Sequence, residues 1–211
     1  QLAAVELGRT DITLHLSSAA TMPSPWVDRG DRRAWALPAA TDPRTLGELV
    51  PDQPAPYPLL VTIGAADEGT IWLLNLEDLN VAITGDLTYA TDLARNIAAE
   101  IAVNPWSTTV QLDCIGVGQE LEPIHPGRVC THPVADAPRI AAELLTDAVA
   151  VVDRSTRLDL PVSTARALQA GSDSWGARML LMDAGVQQCP ELDQLIELLG
   201  HHGGHTGTAV V

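Results

Sequence analysis

The stretch Asn80–Ala102, NVAITGDLTYATDLARNIAAEIA, decides the fold of this 211-residue chain. Its first residues are apolar and predict a short strand over Val81–Thr84, after which Gly85 marks a turn. Beyond the turn, apolar residues recur every three or four positions and form one stripe, which predicts a helix. The stripe consists of Ala90, Leu93, Ala94, Ile97, Ala98 and Ile101. The stretch therefore predicts a strand, a glycine turn and an amphipathic helix.

Strand-like and helix-like segments alternate along the rest of the chain after residue 57. Short apolar runs predict strands, and runs with apolar residues three or four apart predict helices. The predicted strands are 59–63, 70–76, 110–117, 177–182 and 208–211, and the predicted helices are 137–152, 164–170 and 191–200. Such alternation implies an α/β fold in which a mostly parallel central sheet carries helices on both faces.

The first 40 residues follow a different pattern. Ile12, Leu14 and Leu16 alternate with polar residues, as in a half-buried strand, and further strands are predicted over 4–7 and 33–37. Prolines crowd residues 43–58 and predict a surface linker. We therefore predict a small β-rich segment with its linker over residues 1–50, followed by an α/β domain over 51–211. The ends of the chain lead us to expect a piece of a longer protein.

Composition and charge bear on partners and compartment. The net charge is −15 and all twelve basic residues are arginine, so nucleic acid is an unfavourable partner. The densest basic group, at positions 29, 32 and 33, predicts a solvated hairpin tip. No apolar run is long enough to span a bilayer. Cys114, Cys130 and Cys189 are odd in number and widely spaced, which predicts free thiols and a cytoplasmic location, including the cytoplasmic part of a membrane protein.

The turn after Val81–Thr84 has the layout of a phosphate-binding loop, G-x-x-x-x-G-K-[ST]. Gly85 stands at the first glycine, but Ala90, Thr91 and Asp92 replace the second glycine, the lysine and the hydroxyl residue. Asp86 and Asp92 also bring negative charge to a helix N-terminus, where they suit the helix dipole and repel an anion. These replacements predict that the loop does not bind a triphosphate with any ordinary affinity.

Alone, the loop motif is weak evidence, because any strand–helix turn can carry a glycine and an Asp cap. A second segment strengthens the interpretation. Arg178–Asp183, RMLLMD, has the shape of a Walker B strand, which ends in an acidic residue. Asp183 would stand where magnesium is held through water. Ala184 occupies the next position, where a glutamate would activate the attacking water. The general base is therefore missing as well.

Three quoted segments carry a resemblance to a known family. PYPLLVTIGAADEGTIWLLNLEDLNVAITGD, VQLDCIGVG and MLLMDAG, in that order over residues 57–211, resemble the FtsK/SpoIIIE-type DNA translocases and type VII secretion ATPases. The resemblance implies a RecA-like P-loop domain with degraded motifs. The chain is also similar to the inactive ATPase-like region of large actinobacterial proteins that combine membrane segments, a LysM module and a bacterial transcriptional activator domain.

The resemblance implies six degenerate nucleotide-site positions, which are Gly85, Asp86, Ala90, Thr91, Asp92 and Asp183. The first hypothesis is a catalytically inactive ATPase-like domain, without cofactor, that serves as a scaffold or interaction module in a larger, membrane-associated protein. Its partners would be another protein, other domains of the same chain or a second copy. One alternative is an ATPase completed by a partner subunit. Another is a ligand sensor whose pocket at the carboxyl edge of the sheet takes a neutral or cationic molecule, and the acidic cluster Asp86, Asp92 and Asp183 would suit a cation.

Two further groups of residues are candidate metal ligands. His201 and His205 are four residues apart, a spacing that suits a metal on a helix, but Gly203-Gly204 should break the helix between them. Cys130-Thr131-His132 has no second pair of ligands and is predicted to be a loop. The sequence therefore predicts no metal site, and no general base or nucleophile of the Ser/His/Asp kind.

Overall fold

A computed structural model describes this protein over three ranges of residues. These ranges are 1–47, 53–171 and 175–211. Within them, no helix combines the length and the apolar character that crossing a membrane requires.

The chain divides into two compact units, and the division differs from the predicted one. The first unit is Gln1–Gln53 with Leu60–Asn75, and the second is Pro54–Leu59 with Leu76–Val211. The predicted boundary after residue 50 falls in 48–52, outside the described residues. Most of the two strands predicted at 59–63 and 70–76 lies in the first unit, whereas their outer residues Leu59 and Leu76 belong to the second.

Over its described residues, the first unit is an antiparallel sheet of six strands. These are β1 (Leu2–Leu7), β2 (Asp11–Leu16), β3 (Val27–Gly30), β4 (Ala34–Pro38), β5 (Leu60–Ala65) and β6 (Ile71–Asn75), in the order β3-β4-β2-β1-β6-β5. Strands β5 and β6 form a hairpin, and pairing of β6 with β1 joins that hairpin to the N-terminal strands. The β1–β2 hairpin leaves one edge of β1 unpaired, and β6 satisfies its amides and carbonyls. Val5 lies opposite Leu73 in that register, and both are buried.

The arginine-rich turn between β3 and β4 is a hairpin tip, as predicted. Asp31 and Arg32 at the tip have positive φ angles of 56° and 54°, which the tight turn between antiparallel strands requires. Arg29 donates from Nη2 to Asp11 Oδ2 at 2.6 Å and is exposed. The basic group is thus part of a solvated hairpin.

The described part of the second unit contains a four-stranded parallel sheet and four α-helices. The strands are β7 (Val110–Ile115), β8 (Val129–His132), β9 (Ala177–Met182) and β10 (Thr208–Val210), and the helices are α1 (Leu87–Val103), α2 (Ala137–Leu158), α3 (Val162–Ala167) and α4 (Pro190–His201). The strand order is β10-β9-β7-β8. The predicted parallel sheet with flanking helices is confirmed.

Alternation along the strands places different helices on the two faces of this sheet. On one face, Ile115, Leu180 and Val210 form a buried cluster with apolar residues of α2 and α4. The opposite face includes Leu112 and Cys114, both fully buried, and α1 packs on β7 from that side. Burial raises the pKa of the Cys114 thiol to about 12, with a smaller contribution from the neighbouring Asp113 charge. All three cysteines are free thiols.

Two short segments differ from the sequence interpretation. The strand predicted over Val81–Thr84 is absent, and it is the residues just before it that lie along β10, with a bridge between Asn80 and Val210. Val81 donates its backbone N–H to the Val210 carbonyl at 2.9 Å, and the chain then leaves the sheet toward α1. Conversely, Cys130–His132, predicted as a loop, lies in β8. Four residues are too few to show a period, so only pairing with β7 reveals this strand.

Candidate functional site

The candidate site is a cavity of about 270 Å³ at the edge of the parallel sheet where β9 and β10 end, next to the start of α1. Open α/β sheets place their ligand sites at this carboxyl edge. The lining residues are Asn80, Val81, Ala82, Ile83, Leu87, Ala90, Thr91, Ala94, Val117, Leu181, Met182, Asp183, Ala184, Val186, Leu192, Val210 and Val211. The walls are therefore mainly aliphatic.

The start of α1 is closed by the protein's own carboxylate. Asp86 is the N-cap residue, and its Oδ1 accepts the backbone N–H groups of Thr88 at 2.9 Å and Tyr89 at 3.3 Å. Gly85 has a φ of 122°, a conformation that glycine adopts without strain. The amides that a helix N-terminus could offer to an anion already have an internal anionic partner.

The residues at the lysine and hydroxyl positions are also engaged elsewhere. Thr91 lines the cavity, but its Oγ1 donates to the Leu87 carbonyl at 2.8 Å. Asp92 is exposed and lies 3.7 Å from Arg95 Nη1, and Arg95 Nε lies 3.1 Å from Glu120. Asp92 does not line the cavity.

Asp183 is held rigidly at the end of β9. Its Oδ1 accepts the Gly185 N–H at 2.8 Å, and its own N–H donates to the Ile115 carbonyl at 2.9 Å. Gly116 packs behind it so closely that a Cβ at that position would lie 3.0 Å from Asp183 Cβ. Gly116 also has a φ of 75°, so a larger residue there would be strained as well as crowded.

The structure brings three of the six predicted positions to the cavity. Ala90, Thr91 and Asp183 line it, whereas Gly85, Asp86 and Asp92 do not. Across the described ranges, no group of three or more His, Cys, Asp or Glu side chains is placed to hold a metal ion. The three aspartates of the predicted acidic cluster therefore do not converge. The aliphatic walls were not predicted as a site, because each wall residue looks like ordinary core in the sequence.

The histidines at the end of α4 make local contacts. His205 Nδ1 lies 2.7 Å from Ser155 Oγ, and His201 Nδ1 lies 2.9 Å from the Glu197 carbonyl. The two side chains are thus engaged with different parts of the chain.

The parallel sheet, its flanking helices and the antiparallel N-terminal part define a RecA-like α/β fold. Among solved structures, the chain is similar to the pCW3 conjugation coupling protein TcpA in its monomer form with ATPγS. The TM-score is 0.50 and the sequence identity 12%, over 99% of this chain and 69% of TcpA. The predicted fold class is thereby confirmed. No protein-family model matches the chain, and no curated protein matches it.

Replacing Asp86 with alanine should lower the free energy of unfolding of the second unit by about 0.5–2 kcal/mol, because two backbone amides of α1 lose their acceptor. Urea denaturation followed by helical circular dichroism measures this difference. Asp92→Ala is the matched control, since Asp92 is exposed in the same helix and caps nothing. An equal effect of the two substitutions would contradict the capping role.

Proposed function

We propose that the second unit is an ATPase-like domain that does not bind magnesium-ATP and serves as an interaction scaffold in a larger, membrane-associated protein. The single observation that carries the proposal is the Asp86 cap. Its carboxylate accepts the Thr88 and Tyr89 N–H groups, which a bound phosphate would otherwise engage. A triphosphate would have to displace this carboxylate and approach its negative charge.

The missing cation supports the same proposal. The chain has no lysine at all, and Thr91, at the lysine position, carries no charge. Nearby, the guanidinium of Arg95 is paired with Asp92 and Glu120 rather than directed to the start of α1. Charge at the site is therefore negative, which is unfavourable for a nucleotide whose phosphates carry several negative charges.

The general base that ATP hydrolysis requires is missing as well. Ala184 follows Asp183 and offers no base to activate water. A neighbouring subunit could donate an arginine or a base, but it would leave the Asp86 cap in place. The internal cap thus argues against an ATPase completed by a partner.

Exposed apolar side chains favour an interaction role. Tyr89 and Leu87, in the first turn of α1, are 78% and 66% exposed. Leu87 also lines the cavity, so the apolar surface continues from the cavity onto the helix. Contiguous exposed apolar surface is typical of sites that bind a partner. The partner would be another protein, another part of a longer chain or a second copy.

Isothermal titration with magnesium-ATP tests the proposal. We expect no saturable heat up to millimolar nucleotide, after subtraction of the heat produced by magnesium alone. Saturable binding would contradict the proposal. So would measurable ATP turnover that disappears in an Asp183→Asn variant, a result that would favour an active ATPase.

A further inference from the structure

We propose that the cavity at the carboxyl edge of the sheet binds an organic cation with an apolar body. The Asp183 carboxylate would pair with its ammonium or guanidinium group, and the aliphatic walls would enclose the rest. This inference rests on the proposed loss of nucleotide binding, because both concern the same space.

The walls define the apolar part of the ligand. Leu181 and Val210 are almost completely buried beneath the cavity, and Val81, Ile83 and Leu192 add further aliphatic surface. Removing apolar surface from water is favourable in proportion to its area. A cavity of about 270 Å³ has room for a short alkyl chain or a small ring.

Charge defines the other part of the ligand. Asp183 is the one ionisable side chain among the 17 residues that line the cavity. One of its oxygens accepts the Gly185 N–H, and within the described ranges the second oxygen has no hydrogen-bond or ion-pair partner. A single carboxylate beside aliphatic walls selects a cation over a neutral or anionic molecule of the same size. The net charge of −15 adds a general attraction for cations.

The Asp183 carboxylate is also preorganised for binding. The Gly185 N–H, the Ile115 carbonyl and the close approach of Gly116 fix the backbone and side chain of Asp183. A group that is already ordered loses little conformational entropy when a ligand arrives. The geometry thus favours recognition by this one residue.

Three probes of equal length test the charge and the apolar body separately. These are n-hexylamine, 1-hexanol and hexanoate, titrated at pH 7 into isotopically labelled protein and followed by NMR chemical shifts. We expect hexylamine to bind roughly tenfold more tightly than hexanol, and hexanoate to bind most weakly. The shifts should concentrate at residues 81–91 and 181–186.

Variants assign the effect to the cavity. Asp183→Asn should reduce hexylamine affinity to that of hexanol, whereas Asp92→Asn, outside the cavity, should leave the tenfold preference intact. Ala90→Leu should weaken all three probes by filling the cavity, and leucine is well tolerated in a helix. Circular dichroism of each variant establishes that the fold is retained.

The results that would contradict the cation site differ from those that would contradict the proposed function. Equal binding of hexylamine and hexanol by the unmodified chain, preference for hexanoate, or no saturable shift with any probe would overturn the cation site. Saturable magnesium-ATP binding would overturn the proposed function, whatever the amine does. Failure of the amine in a chain that also ignores magnesium-ATP would refute the cation site alone.

Discussion

Replacing Arg166 with methionine should lower the free energy of unfolding of the second unit by about 3–5 kcal/mol. Arg166 and Glu77 are each 1% exposed, and their side chains pair through Nη2–Oε1 at 2.6 Å and Nη1–Oε2 at 3.1 Å. Methionine would leave the Glu77 carboxylate buried without its cation. An unpaired buried charge is among the most costly defects a folded protein can carry.

Arg166 also donates hydrogen bonds to backbone carbonyls. Its Nε donates to the Trp175 carbonyl at 2.6 Å, and Nη1 donates to the Pro56 carbonyl at 2.7 Å. One side chain of α3 thus joins three separate stretches of the second unit. The substitution would orphan those carbonyls in addition to the carboxylate, which adds to the cost.

A double variant separates the cost of breaking the pair from the value of the pair itself. Burial raises the pKa of Glu77, and the attraction of Arg166 opposes this shift without reversing it. Desolvation therefore outweighs the ion-pair attraction at Glu77. Arg166→Met combined with Glu77→Leu should consequently recover most of the stability lost in Arg166→Met.

Urea denaturation of the single and double variants measures these differences. Arg139→Met is the matched control, because Arg139 has two carboxylate partners, Asp136 at 2.8 Å and Glu143 at 2.7 Å, but lies on the surface. Its loss should change stability only slightly, because ion pairs between exposed side chains contribute little. A similar small change for Arg166→Met would contradict the structural role of the buried pair.

The elements that the sequence predicts well are those with a strong local pattern. The stripe in α1 and the periodic residues of α2 and α4 indicate helices without knowledge of the rest of the chain. The run Ala177–Met182 is β9 with no change of boundary. Periodicity reports which residues turn toward a core, so it works wherever an element is long and covered on one face.

Pairing between segments that are distant in the chain produces no local pattern in the sequence. Nothing in the pattern of residues 60–75 tells that β6 hydrogen-bonds β1 rather than a strand of the parallel sheet. Glu77-Asp78, between two apolar segments, looks like a surface turn, yet both side chains are buried. The partner of Glu77 stands 89 residues further along, beyond the reach of any local window.

The site was predictable in its charges and not in its walls. Asp86 stands out because it directly follows Gly85, the first glycine of the loop motif, and Asp183 because it ends the Walker B-like strand. That the two residues belong to a degenerate nucleotide site stays a prediction. The capping role of Asp86 agrees with the preference of aspartate for this position. The aliphatic walls come from four separate stretches, 80–94, Val117, 181–192 and 210–211, whose residues look like ordinary core in sequence, so only the fold gathers them into a cavity.

Replacing Asp78 with alanine should lower the free energy of unfolding of the second unit by about 3 kcal/mol. The Asp78 carboxylate accepts the N–H of Gly204 at 3.0 Å, of Thr206 at 2.9 Å and of Gly207 at 3.2 Å, and also the Thr206 hydroxyl. These donors belong to the loop that leads into β10. Without the carboxylate, three buried amides would lack an acceptor, and β10 would lose its fixed starting point.

Backbone strain must be separated from the lost hydrogen bonds, because Asp78 has a φ of 66°. Asp159 has a φ of 52° at the exposed end of α2, so Asp159→Ala reports the cost of this conformation alone, about 1 kcal/mol. Asp78→Gly removes the strain but not the hydrogen-bond loss, and should remain at least 2 kcal/mol less stable than the unmodified chain, roughly the penalty of orphaned buried donors. Asp78→Asn keeps one acceptor oxygen and should fall between the unmodified chain and the alanine variant. If Asp78→Gly were as stable as the unmodified chain, the carboxylate would not be what anchors the loop before β10.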